Sequence, residues 1–329
     1  MQIQELLSQG YHTYSLGGVN SGIYTLKIES ANFSYTAKIV STNTTIGNTE
    51  IKHTGTIQGI DTQSSDSNTG QMKDVKSGKS VIVNMQYNFF DVLKLTGKSG
   101  IYSTVYIPII DSISPGQTVT FDFVDCTDAD SNHYAVVKID TMIWMAENLK
   151  TTKYNNGTAI NSPGTYCCYG NNCQTYNETY GKLYNWYAVN DTSGLCPTGW
   201  HIPSHDEWTI LERSICTSTL CDTNFPLDTI TQGWLGTTNE GGKLKEACST
   251  LWHSPNSGAT NETGFTALPG GYRYSDGTFY SINFLGFWWT NKAYNASSAW
   301  CRTLKNNDNT VYRTINSKSF SFSVRCLKD

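Results

Sequence analysis

Charge is scarce in this chain. Its 329 residues carry 23 Lys and Arg against 27 Asp and Glu, a charged fraction of 15% and a formal net charge of −4. Ordinary globular domains reach roughly 25%. So little positive charge assembles no basic face, so neither nucleic acid nor an anionic membrane is expected as a partner. No run approaches the ~18 apolar residues of a membrane-spanning helix. The opening Met1-Gln2-Ile3-Gln4-Glu5 has no basic segment leading into an apolar one, and so no signal peptide. Also missing are a G-x-S-x-G elbow, a P-loop and a G-x-G-x-x-G turn. The cysteine spacings, Cys167-Cys168 then Cys173, and Cys216 then Cys221, are not C-x-x-C zinc or redox knuckles.

What is present is aromatic and uncharged. Twelve Phe, 20 Tyr and 9 Trp make up 12% of the chain, so solubility rests on Asn, Ser, Thr, Gly and Tyr. Ten cysteines without a metal or redox motif point to an oxidising, extracellular home. That conflicts with the missing signal peptide unless the chain is a fragment of a longer exported protein, which is the expectation adopted.

At ~150 residues per domain the length suggests two domains. Residues 1–125 read as a β-sandwich-like, all-β region, N-terminally truncated, with a loop over 43–79. Its expected strands lie at Ile23–Ile28, Phe33–Val40, Ser80–Met85, Asp91–Leu95, Ile101–Ile110 and Thr118–Val124. Ser21-Gly22-Ile23-Tyr24 recurs as Ser99-Gly100-Ile101-Tyr102, a Gly-opened aromatic strand used twice.

From Cys126 to Asp329 helical patterns mix with strands and most of the Trp appear, giving an α+β expectation. Leu183, Trp186 and Tyr187 at i, i+3, i+4 predict a short helix within 180–190. Ser204-His205-Asp206-Glu207 is a capping box, with Trp208, Leu211 and Ile215 as the buried stripe of the helix it starts. Asp276-Gly277 predicts a type I′ hairpin over 272–279. Strict alternation through Ser319–Cys326 predicts a half-buried strand.

Candidates for chemistry are few. His201 and His205 have i, i+4 spacing, but Pro203 and the cap at Ser204 leave His201 outside the helix and His205 exposed on its first turn. No metal site is assigned. Asp206 and Glu207 suit the positive end of a helix dipole. Asp125, Asp128 and Asp130, and the turn Asn306-Asn307-Asp308-Asn309, offer oxygen ligands without the EF-hand Gly and Glu, so Ca2+ stays open and no cofactor is assigned. Cys216 and Cys221 are close enough for a local disulfide.

Six strings occur in a familiar order. They are Trp144-Met145-Ala146-Glu147-Asn148-Leu149, the segment Tyr180–Ala188, Cys196-Pro197-Thr198-Gly199-Trp200-His201-Ile202-Pro203-Ser204, the segment Gly264–Arg273, Trp288-Trp289, and Ser323-Val324-Arg325-Cys326. Together they resemble the Fibrobacter succinogenes major paralogous domain, a module of surface proteins in Bacteroidetes and Fibrobacteres. Residues 11–42, through Asn20-Ser21-Gly22-Ile23-Tyr24, resemble more weakly part of a type IX secretion sorting-type domain. The first resemblance implies a C-type-lectin-like fold, related in outline to formylglycine-generating enzymes, and a disulfide between Cys196 and Cys326. Cys248 and Cys301 fall where the family has no cysteine and either pair with each other or stay free. The sugar-binding calcium motifs of lectins and the copper cysteines of the formylglycine enzymes are missing.

The function expected is therefore a non-catalytic, adhesive module on a cell surface that binds a glycan or a protein. Its face is assigned to Trp289, Lys292, Tyr294, Asn295, Trp300, Arg302, Asn306, Asn307, Asp308, Asn309, Tyr312 and Arg313. There, rings can stack on a ligand while amides and guanidinium groups read its polar atoms. The alternatives are an enzyme related to formylglycine-generating proteins, which would need a pocket of convergent titratable groups, and a purely structural spacer.

Overall fold

A computed structural model describes residues 94–107, 121–161, 164–247 and 250–329 in full, and the backbone of six strands nearer the N-terminus. The chain divides into two compact units, Met1–Val124 and Asp125–Asp329.

Every element described in the first unit is a strand: β1 (Gln2–Gln4), β2 (Gly10–Gly17), β3 (Gly22–Ser30), β4 (Phe33–Ser41), β5 (Glu50–Gln58), β6 (Ser80–Asn84), β7 (Leu95–Ser99) and β8 (Tyr102–Tyr106). β1, β6, β3 and β4 form one sheet in that order. β2 pairs antiparallel with β5 and parallel with β7, which turns back into β8. Three expectations need correction. The loop assigned to 43–79 contains β5, whose Thr, Gly and His content hides its period. Residues 121–124 form no strand, and 118–120 lie outside the described residues. The two Ser-Gly-Ile-Tyr strings are not structurally equivalent: Gly22 opens β3, whereas Gly100, at φ 60°, is the turn between β7 and β8.

The second unit is α+β. Its strands are β9 (Ala135–Ile139), β10 (Met142–Met145), β11 (Tyr166–Cys167), β12 (Leu183–Asn185), β13 (Trp200–His201), β14 (Gly233–Leu235), β15 (Gly270–Arg273), β16 (Phe279–Ile282), β17 (Leu285–Ala293), β18 (Ser298–Lys305), β19 (Val311–Ser317), β20 (Ser321–Phe322) and β21 (Leu327–Lys328). Its helices are α1 (Cys173–Tyr180), α2 (Trp186–Val189), α3 (His205–Ile215), α4 (Cys221–Asn224) and α5 (Glu240–Leu244). The large sheet runs β11-β12-β20-β15-β17-β18-β19-β14, with β16 paired to β15. Strand β21 lies between β10 and β13, so the last strand of the unit pairs with its first hairpin. Gly271 fits the β15–β17 crossing for two reasons: its φ is +63°, and a Cβ there would strike the Tyr280 carbonyl.

The capping box forms as the sequence predicts. Ser204 Oγ accepts from Glu207 N at 3.1 Å, and Glu207 Oε2 accepts from Ser204 N at 2.7 Å. The short helix expected within 180–190 forms as α2 and is limited to Trp186–Val189, with Leu183 on strand β12 before it. Asn185 Oδ1 accepts from Ala188 N at 3.0 Å, and this cap resets the backbone after the strand. Gly277 takes a positive φ but Asp276 does not, so the hairpin closes by a type I turn followed by a left-handed Gly, not by type I′. Ser319–Cys326 is not half-buried. Ser321, Ser323 and Arg325 are as buried as Phe322, Val324 and Cys326, because β20 is an interior strand of the sheet.

The family-like strings meet in the core. Trp144, Trp208 and Phe265 pack with ring centroids 5.1–5.7 Å apart, and Trp288 adjoins them. Asn148 Oδ1 accepts from Trp288 Nε1 and Arg325 Nε, both at 3.0 Å, while its amide donates to the Tyr180 carbonyl at 2.9 Å. The Arg325 guanidinium lies 4.3 Å from the Phe265 ring centroid and donates to the carbonyls of Met145, Phe265 and Thr266. The polar groups of Asn148, Trp288 and Arg325 are thereby paired out of water, whereas the buried indole N–H groups of Trp144 and Trp208 have no hydrogen-bond partner among the described residues. Disulfides join Cys196 to Cys326, Cys216 to Cys221, and Cys168 to Cys173. Cys126, Cys167 and Cys301 are free thiols, and Cys248 lies outside the described residues.

Candidate functional site

Strands β17, β18 and β19 carry the candidate face, and the structure divides it. Trp289, Trp300, Arg302, Asn306 and Arg313 are buried, so their assignment to an exposed binding face is corrected. Trp289 stacks on Phe322 at 4.3 Å and donates to the Tyr184 carbonyl at 2.8 Å. Trp300 packs 4.4 Å from the His205 ring, and Asn306 Nδ2 holds the His253 and Ser254 carbonyls, both at 3.1 Å. The physical reason is that β18 is covered on both sides. Alternation therefore separates two buried faces rather than an inner and an outer one.

Arg302 and Arg313 belong to a buried ionic network that the sequence did not reveal. They lie opposite each other across β18 and β19, and Glu212 of α3 bridges them. Glu212 Oε1 accepts from Arg302 Nε, and Oε2 accepts from Arg313 Nη2 at 3.3 Å. Thr209 Oγ1 accepts from both guanidinium groups, at 3.3 and 2.9 Å. Arg313 Nη1 reaches out to the Pro226 carbonyl at 2.8 Å. One carboxylate against two guanidinium groups leaves positive charge in the core, and His205 responds. It is buried, not exposed as expected, since α3 turns its first-turn ring inward toward Trp300. Burial, then Arg302 and Arg313, press its pKa down to about 3 from 6.5, against a smaller upward pull from Asp228.

That shift has a signed consequence. Between pH 6.5 and about 3 the unfolded chain protonates His205 and the folded one does not. Stability is therefore complete above pH 6.5 and falls by about 1.4 kcal/mol per pH unit below it. Urea titrations at pH 7, 6 and 5 should show a wild-type slope that His205→Gln reduces by about one proton equivalent. Equal slopes would refute the assignment. His201 behaves oppositely: burial lowers its pKa, but the bonds to Asp329 at 2.6 Å and Glu207 at 3.0 Å outweigh this and raise it.

The exposed part of the assigned face is smaller. Lys292, Tyr294 and Asn295 stand at the β17–β18 tip, where Asn295 Oδ1 accepts from Ser297 N and Ser298 N at 2.9 and 2.8 Å. Asn307 and Asn309 are exposed, and Asp308 Oδ1 is taken up by Thr310 N and Oγ1 at 2.8 and 2.6 Å. Tyr312 is half-buried and stacks on Trp234 across β19 and β14, with centroids 4.7 Å apart and planes 29° apart. Trp234, 42% exposed on the outermost strand, is the residue that sequence reasoning missed. It sits alone in Thr231-Gln232-Gly233-Trp234-Leu235-Gly236, where no period marks a strand. Leu227 and Ile230 on the preceding loop are also exposed.

The carboxylates of Asp128, Asp130, Glu240 and Glu262 are engaged internally. Asp128 accepts from the backbone amides of Asp130 and Asn132, each at 2.9 Å, and from Tyr134 Oη. Asp130 accepts from Thr152 N and Oγ1 at 2.5 and 2.7 Å. Glu240 accepts from Thr238 N and Oγ1 at 3.0 and 2.6 Å, and Glu262 pairs with Lys243 at 3.4 Å. Among the described residues no three or more His, Cys, Asp and Glu gather as metal ligands, and no helix is long and apolar enough to cross a membrane.

The second unit is thus a disulfide-tied α+β domain whose last strand pairs with its first hairpin and whose most recognisable strings build its core. Residues 137–328 match the family model of the Fibrobacter succinogenes major domain, over half of the chain, and the chain belongs to that family. Comparison with curated proteins and with solved structures gives no match.

Proposed function

We propose that the second unit is a non-catalytic binding module of an exported, adhesive surface protein, of C-type-lectin-like architecture, and that it takes a glycan or protein ligand at the outer edge of its large sheet. The observation that carries this reading is the Trp234–Tyr312 stack, open to solvent on an edge strand. Ring faces of that kind bury apolar sugar or side-chain surface at low entropic cost. The exposed amides of Asn307 and Asn309 add uncharged hydrogen-bonding groups. The disulfides and the scarcity of charge support an extracellular setting. The pairing of β21 with β10 supports the lectin-like reading, since it ties the ends of the unit together and leaves β17–β19 and their loops to present a ligand face.

Glycan and protein arrays probed with the full chain test this. A ligand class should be retained by wild type and lost on Trp234→Ala and Tyr312→Ala, with at least ten-fold weaker binding and an unchanged unfolding midpoint. Absence of any ligand, or unchanged binding by both variants, sinks the proposal. Trp300→Ala is unsuited as a control because Trp300 is core.

A further inference from the structure

The turn Asn306-Asn307-Asp308-Asn309 offers oxygen ligands, and the structure shows where the oxygens beside it point. Lys245, at the end of α5, is completely buried. Its ammonium donates to three backbone carbonyls, those of Ser257 at 2.8 Å, Lys305 at 3.0 Å and Asp308 at 2.8 Å. A lysine ammonium has three protons, and each has one acceptor here. The Trp252 ring lies 5.5 Å from the same nitrogen.

The three carbonyls come from two separate loops that are also stitched directly together. Ser257 N donates to the Asn306 carbonyl at 2.6 Å, and Asn306 returns through the His253 and Ser254 carbonyls. Asn239 Nδ2 donates to the Gly258 carbonyl at 2.9 Å, and Asn256 Nδ2 to the Glu246 carbonyl at 3.0 Å. Gly241 and Gly242 let α5 approach closely, because a Cβ on either would strike the carbonyls of Thr310 and Gly258. Burial lowers the Lys245 pKa to about 8, with Asp308 opposing, so the group is still charged at pH 7. Convergent carbonyl dipoles without a counter-charge in direct contact are the environment of a bound cation.

We propose that the loops 253–258 and 305–308 build a cation site and that the Lys245 ammonium is its resident occupant, ordering these loops as a bound metal ion would. The site takes an ammonium-type monovalent cation and leaves no place for Ca2+ while Lys245 is present. It stands apart from the ligand-binding reading, because its test needs no ligand.

Three measurements decide it. In the wild-type protein at pH 7, 15N NMR should show a slowly exchanging Lys245 NH3+ signal with couplings to the carbonyls of residues 257, 305 and 308. A rapidly exchanging signal without them overturns the proposal. In Lys245→Ala, amide exchange at residues 257 and 306 should quicken at least ten-fold and recover in 0.2 M ammonium chloride, but not in tetramethylammonium chloride of equal strength. Equal recovery in both salts, or none, overturns it. Should that variant fail to fold, the wild-type melting temperature decides alongside the NMR. Indifference to Ca2+ and to EDTA supports the proposal, and stabilisation by Ca2+ refutes it.

Discussion

Glu212→Gln is expected to cost the second unit about 3–5 kcal/mol, the usual range for breaking a buried ion pair from one side. The amide fills nearly the same space and still accepts a hydrogen bond, so packing changes little. What changes is charge. Arg302 and Arg313 are both fully buried and both directed at this carboxylate, and without it two guanidinium groups share a dry core. Burial already disfavours the charged Arg313, with Glu212 the main opposing influence. The urea midpoint should fall accordingly. Combining Glu212→Gln with Arg302→Met should recover part of the loss, because an uncompensated charge leaves with its partner. A midpoint unchanged in the single variant would show that the triad contributes nothing.

The second large effect belongs to the bond between Cys196 and Cys326, which are 130 residues apart in sequence. On the chain-entropy account a loop of this size restricts the unfolded state by about 5 kcal/mol, against about 2 kcal/mol for a five-residue separation such as Cys216–Cys221 or Cys168–Cys173. Cys196→Ala with Cys326→Ala should therefore lower the melting temperature by roughly 10–20 °C in a unit of this size. Removing either short bridge should do much less. The bond also anchors β21, whose pairing with β10 and β13 is only one and two residues long. Hydrogen exchange at Met145 and Asp329 should quicken in the long-bridge variant alone. Equal losses for all three bridges would overturn the loop-length argument.

Some of this was legible because it is local. The start of α3 needs only Ser204 and Glu207, three residues apart, and it forms as read. The period of Ile23–Ile28 was enough to mark β3, and the charge-poor, cysteine-rich composition marked a disulfide-bonded domain. The six recognisable strings identified the family because they are the parts of the core that touch one another, from Asn148 to Arg325.

The rest is decided across distance. Alternation in β18 states that Trp300 and Arg302 share a face, but whether that face meets water depends on α3, some 90 residues earlier. Arg302, Arg313 and His205 read as surface residues because a lone charged side chain belongs in solvent. Only the tertiary arrangement brings Glu212 between them, and a carboxylate at that distance makes burial tolerable. Trp234 reads as an ordinary turn-rich tryptophan until β14 docks on β19 and stacks it on Tyr312. The sequence by itself determined the family, the α+β class and the helix cap. The structure decided which rings and charges the solvent can reach, because burial belongs to the assembled sheet and not to any one strand.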